Sequence, residues 1–139
     1  MRHRTPCAVV GIVFSLATAV TSAEPAKPGA DKHARGRYLV ERVGMCQDCH
    51  TPRTEEGGFD TEKWMLGSAL PFKPVAQMPW MAVAPPIAGL PTLNHEQAVH
   101  FLMTGERPGK PHVTPPMPEY RFEKADAEAI AAYLRSLAK

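Results

Sequence analysis

Fifteen prolines in 139 residues, most of them between Pro71 and Pro118, constrain this chain more than any other feature. Proline fixes φ and has no N–H to donate, so neither a long helix nor a central strand can pass through that stretch. Regular structure must lie on either side of it or in its longest proline-free gap, residues 92–107, and the rest should be loop. The length leaves room for one ordinary domain. With 44% hydrophobic and 22% charged residues the composition is that of a soluble globular protein, which excludes collagen-like, coiled-coil and strongly charged disordered classes. A formal charge of +2 gives no concentrated basic face for nucleic acid.

That charge belongs to a chain with an unusual beginning. Arg2, His3 and Arg4 precede an apolar run from Cys7 to Val20, and Thr21-Ser22-Ala23 stands before Glu24. This is the pattern of a secretory signal peptide over residues 1–23. Its removal takes away Arg2, Arg4 and Cys7, leaving 14 basic against 14 acidic side chains and two cysteines. The alternative is a retained membrane anchor, for which Pro6, Gly11 and several hydroxyl residues make the run poor. The expectation is an exported, periplasmic protein that touches a membrane only if the segment stays.

Residues 24–30 read as a flexible Pro/Gly leader, and residues 31–139 as the folded domain. A helix is expected from Asp31, with Leu39 and Val43, and Ala34 and Tyr38, four apart on its apolar side, and Gly44 as its stop. Asn94 and Gln97 have capping-box spacing and Gly105 ends the helix that they begin. A last helix runs from about Lys124, with Ile130, Tyr133, Leu134 and Leu137 on one face and a weak cap at Glu123. No strand pattern is visible. Residues 51–92 read as one long wrapped loop, too long to stand in a compact domain unless something other than secondary structure organises it.

The chemistry centres on Cys46-Gln47-Asp48-Cys49-His50. Two cysteines two residues apart, followed at once by histidine, form the attachment pattern for a c-type haem. Both thiols can add across the two vinyl groups of one porphyrin edge, and the adjacent His50 is carried to the iron. A zinc site lacks its other ligands, a thioredoxin-like pair lacks a βαβ context, and a simple disulfide leaves His50 without a purpose. One covalently bound haem also gives the long loop an apolar disc to wrap around. The polypeptide without it is then expected to fold poorly.

For the other face of the iron, Met117 is favoured, because Pro115, Pro116 and Pro118 hold its flexible thioether at a defined depth. Met45, Met65, Met78, Met81, Met103 and the histidines are the other candidates, with His112 next in order. Met103 reads as core filler, and His33, His95 and His100 as surface residues.

These features together resemble the class I cytochrome c family over essentially the whole chain after residue 23. The matching segments are Gly36-Arg37-Tyr38-Leu39-Val40, Cys46-Gln47-Asp48-Cys49-His50-Thr51-Pro52, Met117 in its Pro-rich loop, and Ala132-Tyr133-Leu134-Arg135-Ser136-Leu137. The resemblance implies an all-α cytochrome c fold of three to five helices. Its first and last helices would cross at right angles at Gly36, with Tyr38 and Tyr133 packing nearby. Ala84-Pro85-Pro86-Ile87 is similar to a segment of bacterial dehydrogenase-associated cytochrome subunits, with Pro86 where asparagine is usual. There Pro85 either offers its carbonyl to the His50 ring N–H or merely makes a rigid turn.

The function expected from this is not enzymatic. It is one-electron transfer by a His50/Met117-ligated haem, between a dehydrogenase and an oxidase or another cytochrome. A five-coordinate haem enzyme or gas sensor, and a fixed subunit of a larger dehydrogenase, are the alternatives.

Overall fold

The computed structural model describes residues 28–109 and 112–138. The expected signal peptide and most of the expected leader lie outside these residues. In chain order the elements are α1 (Pro28–Tyr38), a wider π turn (Leu39–Val43), α2 (Gln47–His50), a 3-10 turn (Thr61–Lys63), β1 (Ser68–Ala69), β2 (Val83–Ala84), α3 (His95–Thr104) and α4 (Lys124–Ser136). The molecule is mostly helical. No helix among the described residues is long and apolar enough to cross a membrane.

α1 begins at Pro28, three residues before Asp31, so residues 28–30 of the expected leader form its first turn, where proline costs no hydrogen bond. Its buried side is also not the expected one. Gly36, Leu39 and Val40 face inward, whereas Tyr38 is 54% and Val43 51% exposed. For Val43 the reason is the π turn. The Gly44 N–H bonds the Leu39 carbonyl at 2.7 Å and the Cys46 N–H bonds that of Val40 at 3.0 Å, spans longer than an α-helix closes. The extra residue rotates everything after it, and Val43 swings to solvent. Tyr38 stands before that turn and is exposed by the phase of α1 itself, which turns Gly36, Leu39 and Val40 inward. It lies under the Arg35 guanidinium.

Gly36 makes the closest approach of any glycine among the described residues. A Cβ there would sit 2.0 Å from the Ala129 carbonyl oxygen and 2.9 Å from the Tyr133 Cβ, so α1 and α4 touch backbone to backbone. α4 presents Ala127, Ile130, Ala131 and Leu134 to the core at helical spacing. Glu123 makes no side-chain cap, in line with its residue type. Arg35 forks onto Asp126 at 2.9 and 2.8 Å and Lys32 meets Glu128 at 2.9 Å along the rim of this contact. These pairs are largely exposed and orient the helices more than they stabilise them. Tyr133 is buried, and its hydroxyl donates to the Glu41 carboxylate. Burial first, then that carboxylate, pushes the phenol up to about 12.

α3 is built from local signals. The Asn94 side chain accepts from the Gln97 N–H at 2.9 Å, Gln97 returns the bond at 3.0 Å, and Gly105 closes the helix at φ 79°. Ala98, Val99 and Leu102 are buried beneath it and Met103 packs beside them, as core filler should. Asn94→Ala breaks the reciprocal pair and is expected to cost about 1–2 kcal/mol in chemical unfolding.

The proline-rich region is less formless than the sequence implies. β1 and β2 pair antiparallel, Ser68 with Ala84 and Ala69 with Val83. Two residues per strand are too few to leave an alternating pattern. Between them Phe72 and Trp80 pack edge to face at 5.7 Å. Met65, fully buried at φ 58°, is the knot of the region. Its N–H donates to Thr51 Oγ1, and its carbonyl accepts from both Ile87 and Ala88.

Candidate cofactor cleft

The π turn delivers the chain to Cys46, and a single helical turn does the rest. α2 lets the His50 N–H reach the Cys46 carbonyl at 3.0 Å, which brings positions 46, 49 and 50 to one side. Gly44 is needed here for space, since a Cβ would approach the Cys46 sulfur to 3.2 Å while its φ of −79° is ordinary. The buried Gln47 amide anchors the turn by donating to the Glu41 carbonyl at 3.1 Å.

Cys46, Cys49 and His50 line a cavity of about 370 Å³. Met117 lines it too, with Leu70, Val83 and Phe101 among the apolar walls. A smaller cavity of about 90 Å³ adjoins it and reaches the core at Leu39, Leu102, Ile130 and Leu134. Cys46, His50, Pro85, Arg107, Met117 and Tyr120 border both. A larger hollow of about 690 Å³ among Glu96, His100, Glu106 and Arg107 is open to solvent and holds neither a thiol nor a thioether.

His50 is 6% exposed, and its Nδ1 lies 2.7 Å from the Pro85 carbonyl oxygen. A carbonyl only accepts, so Nδ1 carries the proton and Nε2 keeps its lone pair. Of the two roles open to Pro85, the hydrogen bond is present. Burial lowers the imidazole pKa and the Pro85 carbonyl partly offsets this, so the ring is neutral at neutral pH. That is the form that binds a metal.

Both cysteines are free thiols, so the disulfide alternative is absent. Burial pushes Cys46 up to about 11 and, with the Asp48 charge, also raises Cys49. Neither is a thiolate at neutral pH in this state. Among the described residues no group of three or more His, Cys, Asp or Glu side chains is placed to hold a metal ion. The zinc alternative thus lacks its further ligands among the described residues.

Met117 is half-buried in a loop tied down on both sides. The Met81 N–H donates to the Pro115 carbonyl at 2.8 Å, and the Tyr120 hydroxyl donates to the Gly44 carbonyl at 2.9 Å. Burial pushes that phenol up to about 12, so it remains a donor. Of the other candidate ligands, His112 stands on the surface 3.1 Å from Glu119, His33 bonds Ser136, and His95 and His100 are exposed. Met65 is in the core, and Met78 is exposed. Met45 and Met81 do line the larger cavity. Met81, Tyr120 and Arg107 carry no spacing signal that would have marked them.

The donors fit a haem: two thiols near one rim, a neutral imidazole with a free nitrogen, a thioether, and apolar walls of a volume usual for cofactor sites.

No protein-family model matches the chain. A stretch of 42 residues, 30% of the chain, is 48% identical to a diheme cytochrome c-type protein of Cereibacter sphaeroides, and the match spans 14% of that protein. The likeness supports a c-type cytochrome.

Proposed function

We propose that the chain is a single-haem electron-transfer protein of the class I cytochrome c kind, exported to the periplasm. Cys46 and Cys49 would hold the haem covalently, and His50 and Met117 would supply the ligands to its iron. When bound, the haem iron supplies a one-electron couple that needs no bond to substrate. The protein's part is to keep the ligands still. Pro85 fixes the ring plane and tautomer of His50, while the Pro115 and Tyr120 hydrogen bonds brace the Met117 loop. Partners are redox proteins, a dehydrogenase as donor and an oxidase or cytochrome as acceptor. With 14 basic and 14 acidic side chains after residue 23, and two haem carboxylates, docking rests on local charge near the haem edge.

The observation that carries this reading is the 2.7 Å bond from His50 to Pro85 beside two free thiols, on the wall of a cavity that Met117 also lines. Met117→Ala tests it. The ferric protein is expected to lose the weak absorption at the red end of the visible spectrum, and the reduced protein to bind carbon monoxide. An unchanged spectrum would remove Met117 as the ligand and leave Met45 and Met81, the other thioethers lining the cavity.

A further inference from the structure

Arg107 is the one cation on the cleft walls without an answering charge. The left-handed turn at Gly105 sends the chain back across the end of α3, and the next two side chains part company there. Glu106 goes outward, its carboxylate 3.5 Å from His100 Nε2. Arg107 is half-buried and borders both cavities as well as the solvent-open hollow that Glu96 and Glu106 line. Among the described residues its guanidinium has neither a hydrogen bond nor an ion pair. The other arginines set the contrast. Arg35, Arg37, Arg53 and Arg121 each meet a carboxylate, Arg135 donates to the Leu93 carbonyl, and Arg42 is exposed to water. The only other charged residue lining the larger cavity is Asp48, at the thiol rim, where Arg53 Nη2 is 3.8 Å away.

A guanidinium free of any carboxylate on the cavity wall is open to one, and its planar fork matches that group. We propose that Arg107 is the binding residue for a propionate carboxylate of the haem. This rests on the haem reading above. Haem carries its two carboxylates on the edge away from the vinyl groups that Cys46 and Cys49 would engage. A cation paired there also acts on the iron. It offsets negative charge that would otherwise stabilise the ferric state, so it raises the reduction potential.

The test compares wild type, Arg107→Gln and Arg107→Lys as full-length holoproteins, with covalent haem quantified after denaturation. The equilibrium constant for reduction is expected to fall about fivefold in Arg107→Gln, about 41 mV at 59 mV per decade, and to recover at least half of that in Arg107→Lys. A potential unchanged in the Gln variant overturns the proposal. So does an equal fall in both variants, because that makes the side chain structural and its charge irrelevant. A second readout needs no variant. In the ¹⁵N-labelled holoprotein the Arg107 Nε–H is expected to exchange at least tenfold more slowly than that of Arg42, and equal rates overturn the pairing. Wild type without covalent haem would instead remove the haem reading itself.

Discussion

A chain carrying Cys46→Ser and Cys49→Ser is expected to retain no haem after denaturation and to lose most of its helical circular dichroism. The first result follows from the chemistry, since no other cysteine is present among residues 24–139 to replace the bonds. The second follows from where the cavities lie. Leu39, Leu102, Ile130 and Leu134 belong to the core and also line the inner cavity, so the core is open on the side that the cofactor would cover. Leaving about 370 Å³ unfilled costs at most about 9 kcal/mol at about 24 cal/mol per Å³. Water entering the mouth lowers that figure. It still rivals the 5–15 kcal/mol that holds an ordinary domain together. Unchanged helicity in the double variant would show that α1, α3 and α4 hold one another without help.

Gly36→Ala is the second large effect. Alanine ordinarily favours a helix over glycine by about 1 kcal/mol, so on propensity alone the change should stabilise. Here the added methyl would lie 2.0 Å from a backbone oxygen of α4, which cannot rotate away as a side chain could. The helices must separate. Overpacking of this kind costs 1–3 kcal/mol and more where backbone is struck, so a net loss of about 3 kcal/mol and a fall of roughly 10–20 °C in Tm are expected. Gly58→Ala is the control. Its nearest neighbour is 3.7 Å away, and its melting temperature should stay within about 2 °C of wild type. Equal melting of the Gly36 variant and wild type would mean that α1 and α4 are not in close contact in solution.

Which parts of the fold could be read from the sequence depended on how far apart their causes lie. α3 was legible because Asn94, Gln97 and Gly105 act within a few residues of one another. The Cys46–His50 turn was legible because the proposed haem attachment needs a fixed local spacing. Pro85 was half legible. A proline carbonyl near His50 was one of two readings, and only the fold could choose between them by closing 35 residues of chain into a 2.7 Å contact. The outward placement of Val43 was not legible, because one π turn displaces the phase of every residue after it and no residue type announces such a turn. The β1–β2 ladder was too short to show a pattern. Met81 and Arg107 reach the cleft only because β2 and the turn after α3 are placed there by tertiary contacts. Their own neighbours in sequence say nothing about it.

The bond from the Met81 N–H to the Pro115 carbonyl makes that amide a reporter. It is the only backbone hydrogen bond among the described residues between the segment of residues 70–82 and the loop that holds Met117. When the loop lifts, Met81 loses its acceptor and its proton becomes open to exchange with deuterium. Protection at this single amide therefore measures the free energy of opening the Met117 side of the cleft, separately from global unfolding, which the amides of α4 would record.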